Sequence, residues 1–325
     1  MKILVTGATG FLGKYVVEEL KEAGYEVTAF GRNQLIGEQL AGDAVTFIQG
    51  DFTKLSDILT ASKGMDAVVH AGALSTVWGK WEDFYQTNVI GTENVLEACE
   101  TNQIKRLVFI SSPSIYAAAK DQLQVKEAEA PKTNELNFYI KSKLLAEQRI
   151  HEKKQIDSVI LRPRGLFGVG DTSIIPRLIK VNKKIGIPLF DGGQQLVDVT
   201  CVENVALAIR LSLESEKAIG ETYNITNDEP APFKDILDQL HQEIGVPVRY
   251  LSLSYSLMYG VASTLEKIYT VFRITKEPLF TKYTLYLLKY SQTLSIEKAK
   301  NELNYQPKMT ITEGIKNYAE HYRNH

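Results

Sequence analysis

Cysteine is scarce in this chain, and so is tryptophan: two of each in 325 residues. Two cysteines, Cys99 and Cys201, cannot build a disulfide framework, which fits a reducing, cytoplasmic setting. No Cys or His spacing of a metal site occurs, so no metal is expected. Lysine and arginine number 37 against 39 acidic residues, a formal charge of −2. The positive surplus that nucleic-acid binding draws on is therefore missing. No uninterrupted apolar run is long enough to cross a bilayer. The first apolar run is broken by glycines and flows into a charged helix, so it reads as a strand and not as a secretory leader. Internal repeats and low-complexity segments are missing too. What remains is 44% hydrophobic and 23% charged residues, enough chain for one large globular domain or two modest ones.

The organising stretch is Ile3-Leu4-Val5-Thr6-Gly7-Ala8-Thr9-Gly10-Phe11-Leu12-Gly13. Ile3–Val5 reads as a buried parallel strand. Tyr15, Val16, Val17 and Leu20 then fall on one side of a helix. Glycines between a strand and a helix are the context of a dinucleotide site. Gly7 serves the tight turn, Gly10 a close approach to pyrophosphate, and Gly13 the packing of helix on sheet. Thr9, Phe11 and Leu12 complete the loop. The helix N-terminus offers free N–H groups to phosphate.

Strands and helices alternate through the first half, which implies a Rossmann-like, doubly wound parallel α/β sheet. Further strands are expected at 26–30, 45–48, 66–70, 106–110, 157–162 and 222–225. An acidic residue after the second strand would hold a ribose 2′-OH; Arg32 and Asn33 stand there instead. A cation suits a 2′-phosphate, so NADP(H) is expected over NAD(H), the alternative being a solvated loop charge. Ala71-Gly72-Ala73 after the fourth strand lets backbone pass close to a cofactor, and neighbouring His70 reads as a packed residue. Trp78 and Trp81 either pack on the helix that follows or line a ligand edge. That helix, from 83 to about 102, carries Asn88 mid-helix, where a buried hydrogen bond is the expected reason. Residues 121–135 read as a surface loop. After the sixth strand the alternation weakens. The expected division is 1–164, plus about 197–227, for the nucleotide-binding domain. A smaller, mostly helical substrate region takes 165–196 and 228–325.

Tyr-x-x-x-Lys puts both side chains on one helix face. A nearby ammonium is expected to lower the phenol's pKa from its usual value near 10 and bring a proton donor towards working pH. Two such pairs occur, Tyr116–Lys120 and Tyr139–Lys143. Tyr139 opens a strong helix, from about 137 to 153, so Tyr139–Lys143 is chosen and Tyr116 is read as packing.

The glycine triplet, Asp51, Asn88, Ser111-Ser112, Tyr139-x-x-x-Lys143 and Arg162-Pro163 resemble, in order and spacing, the extended short-chain dehydrogenases/reductases. The resemblance covers nearly the whole chain. It is similar in particular to the 3β-hydroxysteroid dehydrogenase-like branch of the NAD(P)-dependent epimerase/dehydratase superfamily. Within that branch it looks most like bacterial 2-alkyl-3-oxoalkanoate reductases. The resemblance implies that Tyr139 exchanges the proton, Ser112 orients the reacting oxygen, and Lys143 tunes Tyr139 and holds the nicotinamide ribose. It implies cofactor contacts at Asp51, Phe52, Asn88, Pro163 and Gly165, and a homodimer through the helices near 83–102 and 137–153.

Sugar-nucleotide epimerases and dehydratases share the scaffold and are the alternative, with tightly bound NAD. They usually carry Asn where this chain has Gly165, and a diphosphate-binding Arg where it has Val197. An apolar ketone or alcohol, a β-keto or β-hydroxy acid or a steroid-like molecule, is expected instead. Ser75, Trp78, Ser114, Leu166 and Val197 are the candidate contacts. The segment 253–291 carries a broad apolar face. It reads as core or dimer contact, a lid, or a surface for a membrane or partner enzyme.

Overall fold

Short aliphatic runs cannot stand in water on either face, so they stack as parallel strands covered on both sides. Seven such runs form one parallel sheet in the computed structural model, which describes residues 1–324. They are β1 Lys2–Thr6, β2 Glu26–Gly31, β3 Val45–Gln49, β4 Ala67–His70, β5 Arg106–Ile110, β6 Asp157–Pro163 and β7 Thr222–Ile225. All lie within one residue of the expected bounds. Their spatial order is β7-β6-β5-β4-β1-β2-β3. The order reverses at β1 and β4, and a ligand crevice opens beyond the strand ends at such a switch point.

Side chains alternate across the sheet and feed two cores. Ile3 and Val5 pack with Val16, Leu20, Val205 and Ile209 on one face. Leu4, Val68, Leu107 and Phe109 pack with Leu96 and Ile150 on the other.

The expected helix from 83 to 102 is interrupted. Trp81–Phe84 is α-helical, Tyr85–Ile90 widens into a π-type turn, and Gly91–Thr101 resumes the α-helix. Residues 121–135 are not simply a loop. Gln122–Val125 is a strand that pairs with Gln292–Leu294 in a second sheet, with Leu196–Val197 and Ala231–Pro232. Its partner lies some 170 residues away, so no local pattern marks it. The smaller region thus borrows a strand from the first half. In return, Ile296, Leu303 and Tyr305 join the core of the main sheet.

A helix at Ile174–Lys184 was also unforeseen. Buried Asp171 starts it, accepting from the backbone N–H of Ser173, Ile174 and Ile175. The apolar segment 253–291 folds as two helices, Tyr255–Val271 and Lys282–Lys289.

Candidate active site

The glycine loop leaves β1 in a left-handed turn, with φ of +70° at Gly7. A Cβ there would lie 2.6 Å from Gly72 Cα, so the loops after β1 and β4 touch. A Cβ on Gly13 would lie 2.1 Å from the Gly7 carbonyl oxygen, which is why the helix Phe11–Glu22 packs so close to its strand. Exposed Gly10 caps that helix without a side-chain partner. Its first N–H groups face the crevice, and this cradle fits a dinucleotide pyrophosphate. Phe52 covers Gly72, and the Thr9 side chain fills the space over Gly31.

At the end of β2 the Arg32 side chain is 78% exposed, and its nearest acid, Asp51, is 4.0 Å away. Asp51 accepts from Thr53 through one oxygen. The Asn33 side chain, grouped with Arg32 as an expected cofactor contact, is exposed and caps its own helix by accepting from Ile36 N–H at 3.1 Å.

Asn137 caps the helix Phe138–Glu152 by accepting from Ile140 N–H, which sets Tyr139 in the first turn. Ser112, just past β5, lies beside the Tyr139 hydroxyl, and its Oγ is 2.9 Å from Ser114 Oγ. Lys143 is buried. Its Nζ donates to the Ile110 carbonyl at 2.6 Å and sits 4.2 Å over the Phe109 ring. The expected lowering of the tyrosine pKa does not hold here. Burial pushes Tyr139 up to about 12, and the Ser112 hydroxyl offsets this only in part. Burial pulls Lys143 down to about 7. The lysine is engaged by the end of β5, and desolvation outweighs any help it gives the phenol.

Asn88, expected to touch the cofactor, is committed to the protein. It accepts from Leu74 N–H at 2.7 Å and donates to the Leu74 carbonyl and to Ser142 Oγ, both at 2.9 Å. Ser142 in turn donates to the Tyr139 carbonyl. Asn88 therefore ties the loop after β4 to the helix of Tyr139. The rival Tyr116 is also taken: it donates to Asn224 and accepts from Arg162, which is paired with buried Glu147. His70 is a packed residue, held between Thr6 and Thr92. Thr92 donates to the Asn88 carbonyl, so the ring proton sits on Nε2. Ser111 Oγ is buried with no partner among the described residues.

A cavity of about 550 Å³ opens near this group, lined by the aromatic rings of Trp78, Trp81, Phe84, Phe138, Tyr269 and Tyr283 and by charged Lys80, Glu135, Glu266 and Arg273. The Trp78 indole N–H donates to the Ile274 carbonyl and ties the loop to the helix Tyr255–Val271 region. Ser75, Leu166 and Val197 lie outside this wall. Leu166 leans on the main core, and Val197 is buried in the second sheet. Gly165 has φ of +57° and lies against the Asp198 carbonyl, and Pro163 ends β6.

Two residues at the site carried no local signal. Tyr283 is buried against Ser114 and next to Tyr139. Arg164 is buried between Pro163 and Gly165.

Comparison with known proteins agrees with this geometry. The NAD dependent epimerase/dehydratase family matches residues 3–226. A 2-alkyl-3-oxoalkanoate reductase of Stenotrophomonas maltophilia (strain K279a) is 34% identical over 97% of this chain and 98% of its own length. A decarboxylating sterol-4-alpha-carboxylate 3-dehydrogenase of Mus musculus is 31% identical over 97% of this chain and 89% of its own. Among solved structures, the UDP-glucuronic acid 4-epimerase of Bacillus cereus in complex with NAD superposes with a TM-score of 0.78. It is 24% identical and covers 100% of this chain and 99% of that one, a likeness of fold.

Proposed function

The chain belongs to the NAD-dependent epimerase/dehydratase family, and from that premise we propose that it interconverts a ketone and a secondary alcohol on an apolar carboxylic acid. The observation that carries this is the contact of Ser112 with Tyr139, together with a cavity lined by aromatic rings that include Tyr283, whose hydroxyl acts on Tyr139. Both sequence relatives act, by name, on molecules that carry a carboxylate on the carbon next to the reacting one. A long-chain 2-alkyl-3-oxo acid meets both conditions.

The nicotinamide cofactor supplies the hydride when bound. The chain's own residues align and protonate. Ser112 donates to the carbonyl oxygen and fixes its position. Tyr139 gives that oxygen a proton in reduction and takes one back in oxidation. A phenol near 12 holds its proton at neutral pH, which suits the reductive direction. Lys143 lies one turn along, where it would hold the nicotinamide ribose. The glycine loop would hold the pyrophosphate. Arg32, 78% exposed and held only loosely by Asp51 at 4.0 Å, favours the 2′-phosphate of NADP(H) over NAD(H).

Sugar-nucleotide epimerisation is the weaker reading. Val197 is buried in a strand and offers no cation to a diphosphate.

The outer side of the helix Tyr255–Val271 extends this reading. Leu257, Val261, Ile268, Val271, Phe272 and Ile274 are exposed, and Ile274 also lines the cavity. Lys267, Arg273 and Lys276 have no ion pair among the described residues, while Glu266 and Glu277 are taken by Lys282 and Arg177. Apolar groups among unanswered cations fit an anionic lipid surface. A second copy of the same face would bring cation to cation.

The test is a panel assay with NADPH and NADH. A 2-alkyl-3-oxo acid should be reduced with at least tenfold higher kcat/KM for NADPH. UDP-sugar interconversion without net cofactor oxidation would overturn the reading.

A further inference from the structure

Arg164 follows β6 directly, and the backbone there is pinned. Its N–H donates to the Ile225 carbonyl at 3.0 Å, and its own carbonyl accepts from the Thr200 hydroxyl. The residue is 8% exposed. Among the described residues, its guanidinium makes no hydrogen bond and no ion pair. Nearby arginines are answered: Arg162 holds Glu147 and Arg177 holds Glu277, each at 2.6 Å. A buried charge without a partner is strongly unfavourable, and an apolar side chain of similar volume would be the more stable choice. The unanswered guanidinium therefore points to a ligand.

Its neighbours say which part of the ligand. The charge of Arg164 reaches the buried Tyr283. Tyr283 lies against Ser114, whose Oγ is 2.9 Å from Ser112 Oγ. Ser112 and Tyr283 both adjoin Tyr139. Ser114 and Tyr283 thus link the reacting centre to the field of the cation, which itself lines a small cavity with Ala117, Tyr286 and Gln292. Asp198 is the acid that faces Arg164. It forms no ion pair with it and accepts from Leu294 N–H instead.

We infer that Arg164, with Ser114 and Tyr283, forms a subsite for a carboxylate on the carbon next to the reacting carbonyl. The inference rests on the ketone–alcohol reading and names the residues that would hold the acid group of its substrate. In a 3-oxo acid the two oxygen-bearing carbons are separated by one carbon. Holding the carboxylate therefore also turns the keto oxygen towards Ser112 and Tyr139. A guanidinium suits this because it can meet both carboxylate oxygens in one plane.

The test compares kcat/KM for a 2-alkyl-3-oxo acid and its methyl ester with NADPH. The wild type should prefer the acid at least tenfold. Arg164→Gln should reduce the acid-to-ester ratio at least 30-fold, mainly through KM, and Arg164→Lys should recover part of it. Tyr283→Phe should reduce the ratio in the same direction. A merely structural arginine would lower both substrates alike and leave the ratio where it was, and that result overturns the inference. Equal use of acid and ester by the wild type overturns it without any variant, while leaving the ketone–alcohol reading intact. Turnover of neither substrate removes both.

Discussion

Lys143 shows how burial sets the chemistry of a single residue. Its ammonium is held near 7 in the folded chain, against about 10.4 when free. Between those values the unfolded chain binds more protons, so this residue's contribution to stability rises with pH from about 7 to about 10. Below 7 both states are charged and the desolvation penalty is felt in full. Lys143→Met should therefore be more stable than the wild type at pH 6.5, and the gap should shrink by pH 9. Thermal unfolding of the cofactor-free protein reads this directly; a gap that does not change with pH would contradict it. Residues of this kind were largely legible. Gly7, Gly10 and Gly13 flank a strand and a helix, and Tyr139 and Lys143 sit one helical turn apart, so local spacing reveals them. The pKa of Tyr139 was not legible, because burial by distant groups decides it. Nor were Tyr283, on a helix late in the chain, and Arg164, directly after β6.

Elements hold these residues in register. The π-type turn Tyr85–Ile90 is the case in point. It turns Asn88 inwards, where one side chain satisfies the Leu74 N–H, the Leu74 carbonyl and Ser142. Asn88→Ala leaves the half-buried Leu74 N–H and carbonyl without this partner, at a cost of roughly 1–3 kcal/mol. Urea unfolding should show that loss together with a higher KM, since the loop that carries Trp78 would slacken. A loss below about 1 kcal/mol would mean that Asn88 is not the tie. The sequence placed Asn88 in a helix and expected a buried hydrogen bond, because Asn is a poor helix former. It did not show the widened turn, which depends on contacts from another helix. The seven main strands were legible because most are short runs rich in aliphatic and aromatic residues. The strand Gln122–Val125 was not, since it is polar and short and pairs with a segment far along the chain.

At the scale of the whole molecule, the cavity lies between the main sheet's helices and the helix Tyr255–Val271. Its mouth opens beside an apolar and cationic face, with Val271 and Phe272 more than 70% exposed. No helix among the described residues is long and apolar enough to cross a membrane, so contact with lipid would be peripheral. Vesicles containing phosphatidylglycerol should sediment the protein at low salt, and vesicles of phosphatidylcholine alone should do so at least fivefold less. Val271→Asp with Phe272→Asp should abolish the difference. Equal binding to both vesicles, or to neither, would contradict an anionic lipid surface.

The central claim is a hydride delivered to a carbonyl carbon while Tyr139 protonates the oxygen. It is tested most directly with NADPH deuterated at nicotinamide C4 and a long-chain 2-alkyl-3-oxo acid, using the wild type and Tyr139→Phe. The account predicts deuterium on the new carbinol carbon in the wild type. In Tyr139→Phe the rate should fall by about 10²–10⁴-fold, the usual worth of a positioned acid, with cofactor binding kept. A product without deuterium, or a Tyr139→Phe variant that turns over as fast as the wild type, would contradict it.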